Sequence, residues 1–305
     1  MRRNLDDRGT NTILCMPFMG RLPAYYPDVP AGRGVPGGCE EATVGDEQGD
    51  ARASDGRSRK SGSFTKTGTP EQIRLELRKT LAARDIGMAS GLFYVPRVIE
   101  ADPDAGRLEL ELMPGLRTLT DLTGSGDARV MPALDLLGKS LADVHRRLRL
   151  TPELTLPPPA GWEAQGEDRV FIHGDLTMNN VCWDEAAGRL VIVDWAAGPA
   201  LGAPVTFASR YLDLVWLCAG VFWEPSWFRR PLYPAGAMCD QFLASYASGC
   251  SDFSTERFLR YDSDRVIVAA FHKWGRSRRA RFAQWARRER WARWRRASPF
   301  LRPDQ

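Results

Sequence analysis

Residues 170–195, with the sequence VFIHGDLTMNNVCWDEAAGRLVIVDW, decide how this chain folds. The stretch contains three short apolar runs, and polar or turn-forming residues follow each of them. Such runs, bounded by turn signals, are typical of short β-strands. They lie at residues 170–172, 181–183 and 190–193. We therefore predict a strand, a loop and a hairpin in this order.

Three polar residues lie at the ends of these predicted strands: Asp175, Asn180 and Asp194. If the second and third runs pair as a hairpin, the chain brings these side chains to one place. One carboxylate can orient a hydroxyl nucleophile, while the other carboxylate and the amide oxygen hold Mg²⁺ against nucleotide phosphates. The pattern therefore predicts a phosphoryl-transfer site. The alternative is an acidic hairpin in which Asp and Asn only form turns.

The spacing His173-x-Asp175-x4-Asn180, followed by Asp194-Trp195, resembles the catalytic loop and metal-binding segment of protein-kinase-like enzymes. His-Gly-Asp-Leu followed by Asp-Trp is most similar to their aminoglycoside phosphotransferase and choline kinase branch. The resemblance implies a two-lobed α+β fold with a reduced or divergent N-lobe and a mainly helical C-lobe. It also implies an ATP-dependent phosphotransferase that uses Mg²⁺. The catalytic residues would be Asp175, which orients the acceptor hydroxyl, and His173, which braces the loop, with Asn180 and Asp194 binding the metal.

The composition is that of an ordinary globular protein with a sizeable core, at 305 residues, 43% hydrophobic and 26% charged. Six cysteines are scattered without a Cys-x-x-Cys pair, so neither a zinc site nor a disulfide framework is indicated. The first residues make a poor signal peptide, and no apolar run is long enough to span a bilayer. We therefore expect a cytoplasmic protein.

The chain divides into four predicted segments, of which the two middle ones are implied by the resemblance. Residues 1–62 lack a sustained period and are expected to be poorly structured. They contain no Gly-rich turn between convincing strands, so no residue is assigned to cover the nucleotide phosphates. The nucleotide-binding N-lobe would follow at 63–115, the catalytic C-lobe at 116–272 and a basic Trp/Arg-rich helix or tail at 273–305.

A helix is predicted after a short strand at residues 64–66. Thr69 is the expected N-cap, with Pro70 at the first helical position and Gln72 completing a capping box. The helix should run to about Arg84. Its apolar face is predicted to contain Ile73, Leu77 and Leu81.

The resemblance gives this region a further role. A lysine on a strand and a glutamate on the next helix are similar to the ion pair that positions nucleotide phosphates in kinases. Lys66 and Glu76 are the matching residues, with Glu71 as the alternative acid. The competing interpretation is a solvated ion pair with no function.

The next predicted strands lie at residues 94–99 and 108–112, and the second alternates apolar and acidic residues. By the resemblance, this second strand leads into the hinge between lobes. Leu112 and Met113 would then lie near the adenine ring. The alternative is a plain antiparallel hairpin.

Several helices are predicted in the rest of the chain, at residues 130–148, 211–221, 238–247 and 264–274. The first contains His145 near its end, and we expect this residue to be packed or hydrogen-bonded and not catalytic. Asp213 resembles the aspartate that anchors the C-lobe in kinases, and we expect it to be structural.

The C-terminal segment carries most of the positive charge. Residues 273–305 contain 12 Lys/Arg and 2 Asp/Glu, whereas the whole chain has a net charge of only +4. Three interpretations are open for residues 273–296: a C-lobe helix that docks by its aromatic face, an anionic membrane surface, or nucleic acid. Residues 286–305 are expected to be dispensable for folding. The aromatic face is predicted to contain Phe271, Trp274, Phe282 and Trp285.

The acceptor is predicted to be a small molecule, such as an amino sugar, a choline-like alcohol or a sugar. No Ala-Pro-Glu anchor and no long activation segment follow Asp194, as a protein kinase would require. No obligate protein partner is indicated. The alternatives are a nucleotide-binding pseudokinase, an atypical protein kinase, and a surface adaptor led by the basic tail.

Overall fold

The computed structural model describes residues 62–159, 168–196, 204–223, 234–261, 266–267 and 278–302. The fold is α+β, as predicted. The strands are β1 (Ser63–Thr67), β2 (Val98–Asp102), β3 (Arg107–Glu111), β4 (Leu116–Thr118), β5 (Arg169–Phe171), β6 (Val181–Asp184), β7 (Arg189–Ile192) and β8 (Phe207–Ser209). The helices are α1 (Pro70–Ser90), α2 (Leu119–Gly124), α3 (Val130–Arg147), α4 (Tyr211–Trp223), α5 (Ala235–Gly249), α6 (Thr255–Arg260) and α7 (Arg278–Ala297). The predicted disorder of residues 1–61 lies outside the described residues.

The first sheet is antiparallel, with the order β1-β3-β2. In β3 the predicted alternation is confirmed, because Leu108 and Leu110 are buried while the residues between them are only partly buried. These two leucines form a small apolar cluster with Ile73 of α1. The sheet therefore holds α1 against one of its faces.

Helix α1 begins as predicted and ends later. The Thr69 side chain accepts from the backbone N–H of Gln72, and the Gln72 side chain accepts from the backbone N–H of Thr69, which completes the capping box. The helix continues to Ser90 and ends at Gly91, which has the left-handed φ of 69° that favours glycine. The expected end near Arg84 was wrong, since the helix continues through Gly87 and ends only at Gly91.

The predicted buried face of α1 was only partly right. Ile73 is buried, but Leu81 is 38% exposed. The helix instead buries polar groups, among them Glu76 and Lys79, together with Ala83. Apolar periodicity misplaced the face because α1 borders a charged site and not only an apolar core.

The predicted strand at residues 94–99 was also misplaced, since β2 begins at Val98. Pro96 has no amide hydrogen and cannot donate to a ladder. Tyr94 instead forms an isolated parallel bridge: its N–H donates to Leu190 and its carbonyl accepts from Ile192, at 2.8 and 2.9 Å. This bridge ties the segment before β2 to the predicted hairpin.

The hairpin at the centre of the sequence is confirmed. Strands β6 and β7 pair antiparallel, and β4 adds to β6 to give a second three-stranded sheet. The first apolar run becomes β5, which pairs with β8 in a separate two-stranded sheet. The loop between β5 and β6 therefore lies between two sheets that hold both of its ends.

The helical part contains the main apolar core. Helices α3 and α5 pack closely, since a Cβ atom on Gly138 would lie 2.5 Å from the Phe242 carbonyl oxygen. Every residue of α4 is buried, so this helix passes through the centre of the core. The predicted helices at 130–148, 211–221 and 238–247 are confirmed, while most of 264–274 lies outside the described residues.

The C-terminal segment corrects two expectations. Phe282 and Trp285, which would dock in one of the three interpretations, are 63% and 57% exposed. The docking residues are Trp291 and Trp294, whose rings contact Phe222 of α4. The described residues of this stretch therefore contribute Trp291, Trp294 and Leu301 to the core, which argues against the expectation that residues 286–305 are dispensable for folding. Phe271 and Trp274 lie outside the described residues.

No helix in the described part of the chain combines the length and apolar character needed to cross a bilayer.

Candidate active site

The site is centred on Lys66, whose side chain bridges two acidic residues. Its Nζ atom forms an ion pair with Glu76 of α1 and donates to Asp194 Oδ1 at 2.5 Å. Lys66 lies on β1, and Asp194 follows β7, so the two come from different sheets. The structure therefore brings together the predicted ion pair and one predicted metal ligand. The alternative acid, Glu71, is a solvent-exposed residue beside Arg74.

These charged groups shift one another's pKa values. Burial opposes the charged form of Lys66, but Asp194 and Glu76 raise its pKa above the ordinary value. Burial raises the pKa of Glu76, although Lys66 opposes that shift. Lys66 thus remains a cation next to Asp194. Polyanionic phosphates bound beside Asp194 would need such a cation.

Asp194 has an unusual backbone conformation. Its φ of 61° is the only positive value at a non-glycine residue among the described residues. Aspartate tolerates this left-handed region better than most residues, but the conformation still costs energy. The strain directs the Asp194 side chain toward Lys66 directly after the hairpin, and it is itself typical of a functional site.

The catalytic loop is held by its backbone. The N–H groups of His173 and Gly174 donate to Asp213 Oδ2 and Oδ1, at 2.7 and 2.9 Å. Gly174 has a φ of 83°, and a Cβ atom there would lie 2.7 Å from the Val205 carbonyl oxygen. Glycine is therefore required between His173 and Asp175 by both conformation and space.

Asp213 is in turn held by α3. The Nε2–H of His145 donates to Asp213 Oδ2 at 3.1 Å, and His145 Nδ1 accepts from the hydroxyl of Tyr246 at 2.8 Å. Burial disfavours the charged carboxylate, but hydrogen bonding from His145 lowers the pKa of Asp213. Asp213 and His145 therefore have the structural roles that we expected.

His173 is a neutral brace. Its Nδ1 atom accepts from the N–H of Asp175 at 3.3 Å, so the proton lies on Nε2, which donates to the carbonyl of Val193 at 3.2 Å. The ring packs on Trp195, with centroids 4.6 Å apart. Burial, and next the charge of Lys79, lower the pKa of His173 to about 4. The imidazole joins the catalytic loop to the segment that carries Asp194.

Asp175 is a carboxylate with a raised pKa. Burial, and next the charge of Asp194, raise its pKa to about 6. The side chain of Trp216 on α4 donates a hydrogen bond to this carboxylate. Asp175 is thus a fixed and partly desolvated carboxylate with no cationic side chain bonded to it in the described part of the chain, which suits a general base.

Asn180 is oriented by the same loop. Its Nδ2 group donates to the backbone carbonyl of Asp175 at 2.8 Å, which leaves the amide oxygen for another partner. The carbonyl of Asn180 accepts from the N–H of Val193 at 2.9 Å, so Asn180 is tied to the residue before Asp194. An amide oxygen and a carboxylate are hard donors, and together they fit Mg²⁺.

Lys79 is the most important residue that sequence reasoning missed. It lies one turn after Glu76 on α1, is fully buried, and donates from Nζ to the His173 carbonyl at 2.7 Å. Burial lowers its pKa to about 8. The available signal was its position three residues after Glu76, which places both on one helix face. Trp216 was also missed, and nothing in the local sequence marks it.

Leu112 and Met113 directly follow β3. The N–H of Leu112 donates to the Gly62 carbonyl at 2.7 Å, and its side chain is 43% exposed. The exposed apolar side chain of Leu112 could pack against a flat ring. Their role beside adenine stays a prediction.

Comparison with known proteins places the fold alongside small-molecule kinase structures. No family model matches the chain, and no curated protein matches its sequence. A solved choline/ethanolamine kinase family protein from Mesorhizobium loti is 16% identical, over 80% of this chain and 86% of that one, with a TM-score of 0.46. Choline kinase LicA from Streptococcus pneumoniae is 14% identical, over 78% and 88%, with a TM-score of 0.47.

An aminoglycoside phosphotransferase from Streptomyces rimosus is 15% identical, over 69% of this chain and 88% of that one, with a TM-score of 0.42. Glucosamine kinase structures are also similar. These findings agree with the resemblance seen in the motifs. At such identities and TM-scores they carry no argument about activity, which rests on the site itself.

Proposed function

We propose that this chain is an ATP-dependent phosphotransferase that transfers the γ-phosphate to a hydroxyl group of a small molecule. The observation that carries the proposal is the bridge from Lys66 to Glu76 and Asp194, beside a loop that holds Asp175. A buried acid fixes the lysine, and the lysine lies against a strained aspartate. An ordinary surface ion pair needs neither feature.

Each residue of the site has a separate role in an in-line transfer. Lys66 binds the nucleotide phosphates, and Glu76 fixes the position of its ammonium group. Asn180 and Asp194 would hold Mg²⁺, which would neutralise charge on the phosphates when bound. Asp175 orients the acceptor hydroxyl and takes its proton as the new bond forms. Holding these groups in place supplies most of the effect, because phosphoryl transfer needs positioning and charge neutralisation more than covalent chemistry.

The acceptor that we propose is an amino sugar, a choline-like alcohol or a sugar. Only residues 193–206 separate β7 from β8, which leaves no room for a long peptide-binding segment directly after Asp194. The carboxylates at this site also suit an acceptor that carries positive charge. The solved structures of similar fold include kinases named for choline, aminoglycosides and glucosamine, which are the first acceptors to try.

The test is Asp175→Asn, measured by nucleotide titration and by the rate of phosphoryl transfer to a panel of these acceptors. Nucleotide affinity should barely change, whereas transfer should fall by about 10²-fold or more, in the range of general-base effects. Asp104→Asn, at an exposed turn, is the matched control and should leave both unchanged.

Three outcomes would count against the proposal. Equal transfer rates in wild type and Asp175→Asn would remove Asp175 from its role. A wild-type protein that binds nucleotide but phosphorylates no acceptor would be a pseudokinase. Transfer to protein acceptors alone would make it an atypical protein kinase.

A further inference from the structure

Helix α7 is fixed in orientation by its inner face. The ring of Trp291 contacts Phe222 and Trp223 of α4. The Nε1–H of Trp294 donates to Asp240 Oδ1 of α5 at 2.9 Å. Because two tryptophans anchor the helix, its opposite face is held toward solvent. The exposure of this face requires no rearrangement of side chains.

The outer face begins with two aromatic residues. Phe282 and Trp285 are both more than half exposed, and their ring centroids lie 5.6 Å apart. Arg293 and Arg296 are exposed further along the helix. Positions 282, 285, 289, 293 and 296 recur at intervals of three and four, so they share one side of a helix. We call these five positions the outer face of α7.

The charged residues of α7 are almost all positive. Residues 278–297 contain nine arginines and one acidic residue, Glu289. Arg288, Arg293 and Arg296 are exposed, and no carboxylate in the described part of the chain pairs with them. Arg129, by contrast, is neutralised by Asp127 and Glu185.

We propose that the outer face of α7 docks on an anionic lipid bilayer. Phe282 and Trp285 would enter the headgroup region, where aromatic rings are stable, and the arginines would bind acidic headgroups. A bilayer gains from both features at once. Duplex nucleic acid would use the arginines but gain nothing from Phe282. Charge complementarity and the exposed aromatic pair together therefore favour the lipid surface.

Glu289 makes the proposal sharper, because it lies on the outer face between the aromatic pair and Arg293. A carboxylate facing acidic headgroups weakens binding. Glu289→Gln should therefore strengthen binding by about fivefold, the effect of roughly one charge at a membrane surface. If the bound surface carried no negative charge, Glu289→Gln would show no such gain in affinity.

The experiment uses the full chain with two kinds of vesicles, phosphatidylcholine alone and phosphatidylcholine with about one third phosphatidylserine, compared by sedimentation at several salt concentrations. We expect binding only to the anionic vesicles, falling with salt. The double variant Arg293→Gln/Arg296→Gln should lose about thirtyfold in affinity, the effect of roughly two charges. The double variant Phe282→Ser/Trp285→Ser should lose the part of the binding that is insensitive to salt.

Met88→Ser is the control, since Met88 is 65% exposed on α1, and it should bind as wild type does. Equal binding to both kinds of vesicles would overturn the proposal. An unchanged affinity in Glu289→Gln would do the same. If RNA binds the chain through these arginines while anionic vesicles do not, the surface is one for nucleic acid and the lipid proposal is wrong.

Discussion

Lys79 Nζ donates a 2.7 Å hydrogen bond to the backbone carbonyl of His173, which lies 94 residues later in the chain. Glu76, which holds Lys66, is one helical turn away on the same face of α1. One helix therefore fixes both Lys66, which contacts Asp194, and the carbonyl at the start of the loop that carries Asp175. A shift of α1 would disturb the two together.

The first prediction concerns the cost of burying Lys79. Its pKa of about 8 in the folded chain is below the value near 10.4 expected when unfolded, because burial outweighs the carboxylates of Asp213, Glu76, Asp194 and Asp175. Between these two pH values the unfolded chain binds more protons, so stability rises with pH. The rise attributable to Lys79 should be about 3 kcal/mol.

Lys79→Met removes this titration. Urea unfolding from pH 7 to pH 10.5 should show wild type gaining stability relative to the variant as pH rises. Lys139→Met, at a half-exposed lysine paired with Asp135, should leave the wild-type curve unchanged. Parallel curves for wild type and Lys79→Met would show that Lys79 is not held in an environment that disfavours its charge.

The second prediction concerns Asp194. Asp194→Asn keeps the side-chain shape, and asparagine also tolerates the left-handed φ of 61°. The fold should therefore persist, while Mg²⁺-dependent nucleotide turnover is lost, because a neutral amide is a weaker ligand for a hard dication. Circular dichroism and a turnover assay across a Mg²⁺ titration would check both parts. Wild-type turnover in this variant would exclude Asp194 as the ligand.

The third prediction concerns Gly174. In Gly174→Ala the new Cβ would meet both an unfavourable φ and the Val205 carbonyl oxygen, so we expect a loss of roughly 2–4 kcal/mol in stability. Gly188→Ala is the matched control. Its φ of 61° is similar, but nothing lies within 4 Å of the added atom, so it should cost only about 1 kcal/mol. Thermal melts of the two variants would separate the cost of backbone strain from that of the steric contact. Equal losses of stability in both would show that the contact with the Val205 carbonyl costs nothing.

The fourth prediction concerns the two kinds of tryptophan on α7. Trp291 is 2% exposed, so Trp291→Ala should cost about 3–5 kcal/mol, as expected for a large side chain removed from a core. Trp285 is 57% exposed, and Trp285→Ala should change stability by about 0.5 kcal/mol or less. Chemical denaturation measures both. A small loss in Trp291→Ala would mean that α7 does not depend on this anchor.

Local sequence was enough for the elements whose signals are short in range. The capping box at Thr69, the β6–β7 hairpin and the apolar stripe of α3 each depend on neighbouring residues, and each was predicted. The motif from His173 to Asp194 also predicted that these segments lie together, because strand ends and a hairpin join them. Hydrogen bonds from Asn180 to the Asp175 carbonyl and from Val193 to the Asn180 carbonyl agree with this prediction.

Tertiary structure alone decided the remaining features. The buried hydrogen bond from Lys79 and the contact of Trp216 with Asp175 join elements that are far apart in the sequence, and no local period encodes them. Apolar periodicity placed Leu81 in the core and Phe282 against the protein, and both are exposed. Periodicity identifies the faces of a helix, but which face is buried depends on the partner that covers it, and that partner is set by long-range packing.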